Sequence, residues 1–336
     1  MTKLENVRVT ADEAGLRLDR WFRRHAPSLT HGRLEKLLRT GQIRVDGARA
    51  KAGLRVQEGQ LVRIPPLGEA REPAPKAKPP LSARDRKFVQ DLVLFRNSEL
   101  IAINKPAGLA VQGGTGTTRH LDALLDGLRE EGEERPRLVH RLDRDTSGVL
   151  VLARSAKAAA ALSHAFRARE TEKIYWALTA GVPMPLAGRI DLPLAKGEGP
   201  KGRERMTPAE DEGKARHAIT DYVVVARAGP RVAFVVLRPL TGRTHQLRAH
   251  LAALGTPILG DFKYGGKTAR LSGDVPGGLQ LHARRLSLKL PEGRPLTLEA
   301  PPPPSMNAAL RFFGFEHADA ETAFPPHERP RARFRR

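Results

Sequence analysis

The apolar positions between residues 16 and 64 predict two short helices followed by a small sheet. In LRLDRWFRRH, Leu18, Trp21 and Phe22 fall on one face of a helix. A second helix follows Thr30 in HGRLEKLLRT and ends at Gly41, and its leucines form a single apolar stripe. The alternating stretches QIRVDGARA and LVRI then predict strands, the first pair joined at an Asp-Gly turn. These signals indicate a compact module of two helices against a few strands.

A second apolar pattern starts at LVLF (residues 92–95) and continues to about residue 300. VLVLA (149–153) is short, uninterrupted and partly β-branched, which predicts a buried strand. In ETEKIYWALTAG, Ile174, Trp176 and Leu178 point to one side of a strand, so Tyr175 points to the other. Residues 219–225 and 232–238 also alternate, and the leucines of HQLRAHLAALG predict a helix that ends at Gly255. The pattern indicates a large sheet with flanking helices.

Composition along the chain separates these two units. PPLGEAREPAPKAKPPL (65–81) is rich in proline and charge and cannot build a core, which is typical of a semi-rigid linker. The run PPPP (301–304) closes the second pattern, and the chain ends in HERPRARFRR. We therefore expect a small domain at residues 14–76, a linker at 77–91, a large domain at 92–305 and a mobile basic tail at 306–336.

The chain is strongly basic, with 58 Lys and Arg against 37 Asp and Glu and a formal net charge of +21. An excess of this size indicates a polyanionic partner, most simply nucleic acid. In the small module, cations lie on the helix faces opposite or beside the apolar stripes, so they either contact a nucleic acid or merely solvate the domain. These cations are Arg17, Arg20, Arg24, Arg33 and Lys36.

The 336 residues include no cysteine, which excludes disulfides, thiolate metal sites and thiol nucleophiles. The N-terminus lacks an apolar leader, and no stretch approaches the roughly 18 apolar residues of a membrane span. We therefore expect a cytoplasmic protein with no membrane segment.

The stretch VHRLDRDTSGVLVLA places Asp143 and Asp145 on a loop directly before a buried strand. Charged groups held at the edge of a core commonly mark a site, although an Asp/Arg network that only closes the loop explains the pattern equally well. In RPLTGRTHQLRAHLAALGTPILGD, Arg243 and Arg248 bracket the first turn of the predicted helix and suit phosphate or carboxylate partners. Metal spacing is absent there, and the chain contains neither a P-loop nor a dinucleotide fingerprint.

Together these stretches resemble a known family. HRLDRDTSG, the strand with KIYWAL, and GRTHQLRAH followed by GTPILGD look like the three signature motifs of the RluA family of RNA pseudouridine synthases. The leading NKPAGLAVQGG is similar to the RluC and RluD branch of that family. LRLDRWF, HGRLEKLLRTGQIRVDG and VQEGQLVRI resemble an S-four-type RNA-binding domain. The resemblance spans roughly residues 14 to 300.

The resemblance implies a role for particular residues. The essential aspartate of the family motif directly follows Arg-Leu, which makes Asp143 the catalytic carboxylate here. Tyr175 would stack on the flipped uracil and take part in proton removal, and Arg248 would pair with Asp143. The RNA contacts implied in the same way are Arg141, which fills the place of the flipped base, Leu247, which packs against it, and Arg243, which contacts phosphate.

The implied fold is α+β: a large mixed, mainly antiparallel sheet with flanking helices and a central cleft, preceded by the S-four-type domain. The implied reaction converts uridine to pseudouridine in large-subunit ribosomal RNA, with no cofactor, metal or nucleotide, and we expect a monomer. Two alternatives stay open. One is a non-catalytic ribosome-assembly factor with the same fold, and the other is an RNA methyltransferase, which the missing glycine-rich nucleotide loop disfavours.

Overall fold

The computed structural model describes residues 4–67, 81–114, 119–199, 204–209, 215–270, 277–290, 293–321, 323–324 and 333–334. Contacts within the chain divide it into two compact units, Met1–Pro80 and Leu81–Arg336. We describe each unit by itself.

The first unit packs two helices against a four-stranded antiparallel sheet. Its elements are β1 (Glu5–Arg8), α1 (Leu18–His25), α2 (His31–Arg39), β2 (Arg44–Val45), β3 (Ala48–Arg49) and β4 (Leu61–Ile64). The sheet has the order β1-β4-β2-β3. Leu18, Trp21 and Phe22 are buried in its core, as the helical pattern predicts. Asp46 and Gly47 both have positive φ angles, 49° and 77°, so the predicted Asp-Gly turn forms between β2 and β3.

A buried carboxylate ties α1 of this unit to the preceding turn. Glu13 is 3% exposed, and its carboxylate accepts the indole N–H of Trp21 at 2.9 Å and lies 2.6 Å from Nε2 of His25. Burial alone would raise the pKa of Glu13, but these two hydrogen bonds outweigh it and hold the pKa below its ordinary value. The basic face of α1 is therefore fixed by an internal charge as well as by its apolar stripe.

The second unit contains the remaining elements. They are α3 (Ala83–Asp91), β5 (Val93–Arg96), β6 (Leu100–Lys105), α4 (Leu121–Leu124), β7 (Arg137–Leu138), β8 (Ser147–Ala153), α5 (Ala156–Ala168), β9 (Glu172–Ala180), β10 (Ala187–Asp191), β11 (Leu194–Glu198), β12 (Glu204–Pro208), β13 (Ile219–Ala228), β14 (Val232–Pro239), α6 (Gln246–Ala253), β15 (Leu281–Lys289), β16 (Pro295–Glu299), α7 (Pro304–Phe313), α8 (Ala318–Glu321) and β17 (Arg333–Phe334).

Among the described residues of this unit, eleven strands form one mixed sheet. Its main path is β17-β10-β13-β14-β9-β15-β8-β6-β5, with β16 beside β15 and β7 beside β8. The pairs β8–β15 and β10–β17 are parallel, and the other pairs described for the sheet are antiparallel. A separate hairpin joins β11 to β12. The predicted α+β architecture with a large, mainly antiparallel sheet is confirmed.

Side-chain alternation along the central strands sends two sets of residues to opposite faces. Ile174, Trp176 and Leu178 of β9 pack with β14, α7 and α8. Tyr175 and Ala177 pack instead on the face covered by α6. This separation, predicted from the period of two, brings Tyr175 to the side of the sheet on which Arg248 lies.

Two predicted boundaries are wrong. The linker was expected to reach residue 91, but α3 begins at Ala83 with Ser82 as its cap, and Val89 is fully buried in the second unit. The tail was expected to begin at 306, but Met306, Ala309 and Leu310 of α7 belong to the core. In both segments a single apolar stripe, weak beside the surrounding proline and charge, is enough to bury the helix. The remaining linker residues 77–80, and most of the tail beyond residue 324, lie outside the described residues.

No helix within the described ranges is both long enough and apolar enough to cross a membrane.

Candidate active site

The second unit contains a pocket of about 260 Å³. Three stretches far apart in sequence form its walls: the loop before β8, the middle of β9, and the turn that leads into α6. The lining includes Arg141, Leu142, Asp143, Lys173, Tyr175, Arg243, His245, Leu247 and Arg248. Pockets for drug-sized ligands begin at about 300 Å³, so this one has room for a small ligand group.

Asp143 lies on the loop between β7 and β8, and its side chain is 20% exposed inside the pocket. The loop is closed by the N–H of Thr146, which donates to the Asp143 carbonyl at 3.2 Å. Asp145 points elsewhere: it is 49% exposed, pairs with Arg144 at 3.3 Å, and does not line the pocket. Geometry therefore separates two aspartates that the residue pattern alone leaves equivalent.

A buried lysine holds the loop that carries Asp143 through hydrogen bonds to backbone carbonyls. The ammonium group of Lys105, fully buried at the end of β6, donates to the carbonyls of Pro106, Leu109 and Arg144 at 2.9, 2.9 and 3.0 Å. Burial lowers the pKa of Lys105 to about 8, although Asp145 and Asp143 oppose the shift. The NKPAGL stretch thus holds the Asp143 loop in place from outside the described lining of the pocket.

The small residues after Asp143 allow two strands to approach closely. Gly148 has a φ angle of 116°, and a Cβ there would lie 2.2 Å from the Ala283 carbonyl oxygen of β15. Ser147 bonds to His282 at 2.9 Å, and Nε2 of His140 accepts the N–H of Val151 at the same distance. The Thr-Ser-Gly turn therefore fixes where β8 begins and, with it, where Asp143 lies.

Arg248 on α6 forms its main ion pair with a residue other than the one predicted. Its guanidinium makes two 2.7 Å hydrogen bonds to the carboxylate of Asp261, which is 1% exposed. Its third nitrogen, Nη1, lies 4.0 Å from Oδ2 of Asp143. Arg248 therefore faces Asp143 at the outer limit of an ion pair, while Asp261 holds it in position.

His245 adds a second nitrogen near the catalytic candidate. Nε2 of His245 lies 3.8 Å from Oδ2 of Asp143, and its Nδ1 lies 2.9 Å from the Tyr264 hydroxyl, which accepts the N–H of Met206. Burial lowers the pKa of His245, helped by Arg248 and opposed by Asp143, so the ring favours the neutral form. The neutral tautomer with its proton on Nε2 lets the hydroxyl donate to Nδ1 and turns an N–H towards Asp143.

The backbone at His245 is strained. It adopts a left-handed φ angle of 52° directly before α6, a conformation that costs a non-glycine residue about 1 kcal/mol or more. Strain of this kind is concentrated at functional sites, where the side chain must point in one direction.

The other predicted pocket residues fall into two groups. Tyr175 and Leu247 belong to the apolar wall, and burial raises the pKa of the Tyr175 phenol, with the Asp143 charge adding to the effect. Arg141 is exposed at the pocket mouth, and Arg243 is half-buried there with its Nε donating to the His217 carbonyl at 3.0 Å. The structure thus brings all six residues that the resemblance implied to one pocket.

The five basic residues named in the first unit are all exposed, but three have partners within that unit. Arg17 pairs with Asp19 at 2.8 Å, and Arg24 pairs with Asp12 at 2.9 Å. Arg33 donates to the Leu67 carbonyl. For the remaining two, Arg20 and Lys36, no ion pair lies within the described residues.

Sequence reasoning missed four residues that shape the site: Lys105, His245, Asp261 and Tyr264. Lys105, His245 and Asp261 lie inside stretches singled out for their motifs, namely NKPAGL, GRTHQLRAH and GTPILGD, and Tyr264 follows the last of these by three residues. The available signal for Asp261 was a carboxylate at the end of GTPILGD, the stretch that follows the arginines of GRTHQLRAH. The contacts that tie these residues to the site join positions at least 13 residues apart, such as Asp261 with Arg248 and Lys105 with the Arg144 carbonyl, so spacing gave no sign of them.

The pocket contains one carboxylate, Asp143, which has the nitrogens of Arg248 and His245 beside it. The aromatic ring of Tyr175 lines the same pocket. Such a carboxylate can attack an electrophilic carbon or remove a nearby proton while the phenol ring stacks on a planar group. Among the residues that the structure describes, no group of three His, Asp or Glu side chains is placed to bind a metal ion.

Comparison with known proteins identifies the family. Residues 99–253 match the family model described as RNA pseudouridylate synthase. RNA pseudouridine synthase 4, mitochondrial, of Arabidopsis thaliana is 37% identical over 298 residues, which cover 78% of this chain but only 62% of the plant protein. Ribosomal large subunit pseudouridine synthase C of Rickettsia conorii is 38% identical over 254 residues, 75% of this chain and 82% of that protein.

A solved structure agrees with these relatives. Human RNA Pseudouridylate Synthase Domain Containing 4 superposes with a TM-score of 0.57 at 30% identity, covering 69% of this chain and 98% of the human one. The chain therefore belongs to the RNA pseudouridylate synthase family. It is an enzyme, an RNA pseudouridine synthase, and the prediction made from its motifs is confirmed.

Proposed function

We propose that the protein isomerises specific uridines of large-subunit ribosomal RNA, with Asp143 as the catalytic carboxylate acting on a flipped-out base. The observation that carries this proposal is the position of Asp143: it lies in the pocket, 3.8 and 4.0 Å from His245 and Arg248, with Tyr175 among the lining residues. The family relative from Rickettsia, named for the ribosomal large subunit, supports the choice of RNA.

The reaction moves one glycosidic bond and consumes nothing. The C1′–N1 bond breaks, the uracil turns, a C1′–C5 bond forms, the C5 proton leaves and N1 takes up a proton. Asp143 acts either by attacking C1′ or by removing a proton from the sugar after the bond breaks, and both roles require an ionised carboxylate. The Arg248 guanidinium lies 4.0 Å from this carboxylate.

The walls of the pocket assign the supporting roles. Leu247 packs against the base, and Tyr175 stacks on it. Because burial raises the pKa of Tyr175, its hydroxyl enters the reaction protonated and passes a proton on rather than acting as a preformed phenolate. Both remaining arginines lie at the mouth of the pocket. Arg243 contacts the RNA backbone, and Arg141 fills the space that the base leaves.

Base flipping is required because C1′ and C5 cannot both reach Asp143 while the base is stacked. Its cost is a few kcal/mol and is lowest for unpaired RNA. An exposed arginine at the rim, Arg141, lowers that cost by taking the vacated place in the stack.

We further propose that the first unit is an S-four-type RNA-binding domain whose exposed cations, Arg20 and Lys36 foremost, add affinity for RNA. A truncation tests this, and α3 sets its start: the shortened chain should begin at Leu81, since a start near residue 85 would remove the Ser82 cap of that helix. Binding should weaken and lose part of its salt dependence. Unchanged selectivity for ribosomal RNA would contradict the role.

The experiment for the main proposal is tritium release from ribosomal RNA that contains 5-tritiated uridine. Asp143→Asn should abolish release, and Asp145→Asn is the matched control because Asp145 lies outside the pocket lining. Release by the Asp143 variant would mean that another group is the catalytic one. If the wild type releases no tritium from naked RNA or from ribosomal precursors, the assembly-factor function would replace this proposal.

We also propose that the enzyme acts as a monomer in the cytoplasm.

A further inference from the structure

Lys173 is a lysine in the pocket wall to which the mechanism above gives no task. It lies on β9 two residues before Tyr175, so both side chains point to the same side of the strand. Its side chain lines the pocket together with Asp143 and Tyr175, and its ammonium group lies 5.5 Å from the ring centroid of Phe166. Burial lowers the pKa of Lys173. A half-buried cation thus lines the pocket beside Asp143 and Tyr175.

Among the described residues, Lys173 has neither a carboxylate partner like that of Arg248 nor the carbonyl acceptors that surround Lys105. Within the described residues no carboxylate lies within 4.0 Å of Lys173, whereas Arg248 is neutralised by Asp261 and Arg238 by Asp221. The aromatic contact with Phe166 offsets only part of the cost of burying an ammonium group. Lys173 is half-buried and has no counter-ion in the described part of the free protein, so a bound molecule is a natural source of the missing negative charge.

The proposed reaction creates negative charge in this pocket. When the C1′–N1 bond breaks, its electron pair stays on the uracil, and the charge spreads over N1, O2 and O4. The intact base is neutral, so an ammonium group beside it interacts more strongly with the transition state than with the bound substrate. Asp143 cannot supply this stabilisation because it is an anion and acts on the sugar.

We propose that Lys173 is a catalytic residue that contacts a carbonyl oxygen of the uracil and stabilises the negative charge that develops as the base departs. This inference rests on the proposed function. Lys173 forms no covalent bond and gives up no proton: the electron pair returns from the base to C1′ when the C1′–C5 bond forms. The contact with Phe166 and the neighbouring His140 ring keep the ammonium group in the pocket between turnovers.

A phosphate of the RNA is the competing partner for this cation, and it predicts a different result. Phosphate is charged before and after the reaction, so a phosphate contact would contribute to binding rather than to the chemical step. Removing a cation that binds phosphate would also reduce the salt dependence of RNA binding by about one charge.

The test compares Lys173→Met with Lys157→Met, a matched loss of charge at an exposed position on α5. Single-turnover tritium release measures the rate, and RNA binding is measured at several salt concentrations. We expect Lys173→Met to slow release on the order of 100-fold, the usual effect of removing one group that stabilises developing charge. Its Kd and salt slope should match those of the wild type, and Lys157→Met should be normal in all three.

A second variant, Lys173→Arg, keeps the charge and shows whether a loss of activity comes from the missing charge or from misfolding. At equal thermal stability, it should retain more activity than Lys173→Met. If Lys173→Met binds RNA more weakly and with a smaller salt slope, the inference is overturned in favour of a phosphate contact. An unchanged rate of tritium release would also overturn it. Asp143→Asn is measured in parallel. If that variant is inactive while Lys173→Met is normal, only the role of Lys173 fails; if the wild type releases no tritium, the proposed function fails with it.

Discussion

Replacing Asp261 by asparagine should destabilise the second unit and slow the reaction without touching the substrate. Asp261 is 1% exposed and makes two 2.7 Å hydrogen bonds to Arg248, itself 6% exposed. Removing one partner of a buried ion pair costs about 3 to 5 kcal/mol. Because the asparagine oxygen still accepts one bond, we expect about 3 kcal/mol, or roughly 6 to 12 °C in Tm for a unit of this size.

The same substitution should reduce the rate on the order of 10- to 100-fold, since an error of 1 Å near the reacting atoms costs up to about 100-fold. The freed guanidinium would turn from its present place, 4.0 Å from Asp143, to pair with that carboxylate more closely. The affinity for RNA should stay within about twofold of the wild-type value. Arg248 and Asp261 are both buried, so the substitution leaves the exposed cations that contact phosphate unchanged.

Denaturant unfolding followed by tryptophan fluorescence measures the stability change. The chain has two tryptophans, Trp21 in the first unit and Trp176 in the second, so Trp21→Phe in every variant leaves a reporter of the second unit alone. Asp221→Asn is the matched control: Asp221 is also fully buried and paired with arginines, but it does not line the pocket. A loss below about 1 kcal/mol for Asp261→Asn, or equal rate losses for both variants, would refute the reasoning.

Three further predictions follow from other contacts. Burial lowers the pKa of His250 to about 4 in the folded protein, whereas the unfolded chain has a histidine pKa of about 6.5. Between these two values only the unfolded state takes up the proton. The free energy of unfolding should therefore fall by about 1.4 kcal/mol per pH unit as the pH drops from 6.5 towards 4. Urea unfolding at pH 7 and 5 should show a shallower decline for His250→Gln, and equal declines would disprove this assignment. Tyr264→Phe removes the hydroxyl 2.9 Å from His245, so single-turnover rates should fall on the order of tenfold at unchanged Kd; a wild-type rate would remove His245 from the catalytic arrangement. Arg141→Ala should leave Tm unchanged and slow the enzyme more on a paired target uridine than on an unpaired one, a difference that rate measurements on two matched RNAs would reveal or exclude.

Much of the architecture was predictable because it depends on local periodicity. The period of two in KIYWAL placed Trp176 and Tyr175 on opposite faces, and the structure confirms that arrangement. The uninterrupted VLVLA run became β8, buried along its whole length. Boundaries were less predictable: α3 and α7 are bounded by proline and charge, and only their burial against the sheet distinguishes them from a linker or a tail.

The residue types of the site were predictable from the sequence, but their partners were not. The motif singled out Asp143, Tyr175, Leu247 and Arg248 as residue types, and the resemblance supplied their roles, but neither could predict which carboxylate would hold the arginine. Arg248 and Asp261 are 13 residues apart, on a helix and on the loop beyond it, and the pairing exists because the chain turns back there. Lys173 illustrates the same limit, because the absence of a counter-ion among the described residues is a property of three-dimensional neighbours.

The sequence by itself determined the class of molecule: the charge, the strand and helix periods and the motif residues all depend on side chains close together in the chain. The tertiary structure alone decided that Asp143 and not Asp145 faces the pocket and that Asp261 neutralises Arg248. It also decided that Lys173, which the strand period already places beside Tyr175, has no carboxylate of the described chain to pair with it. The physical reason is that charge interactions depend on distance and burial. Both quantities are set when the sheet and α6 bring remote segments together.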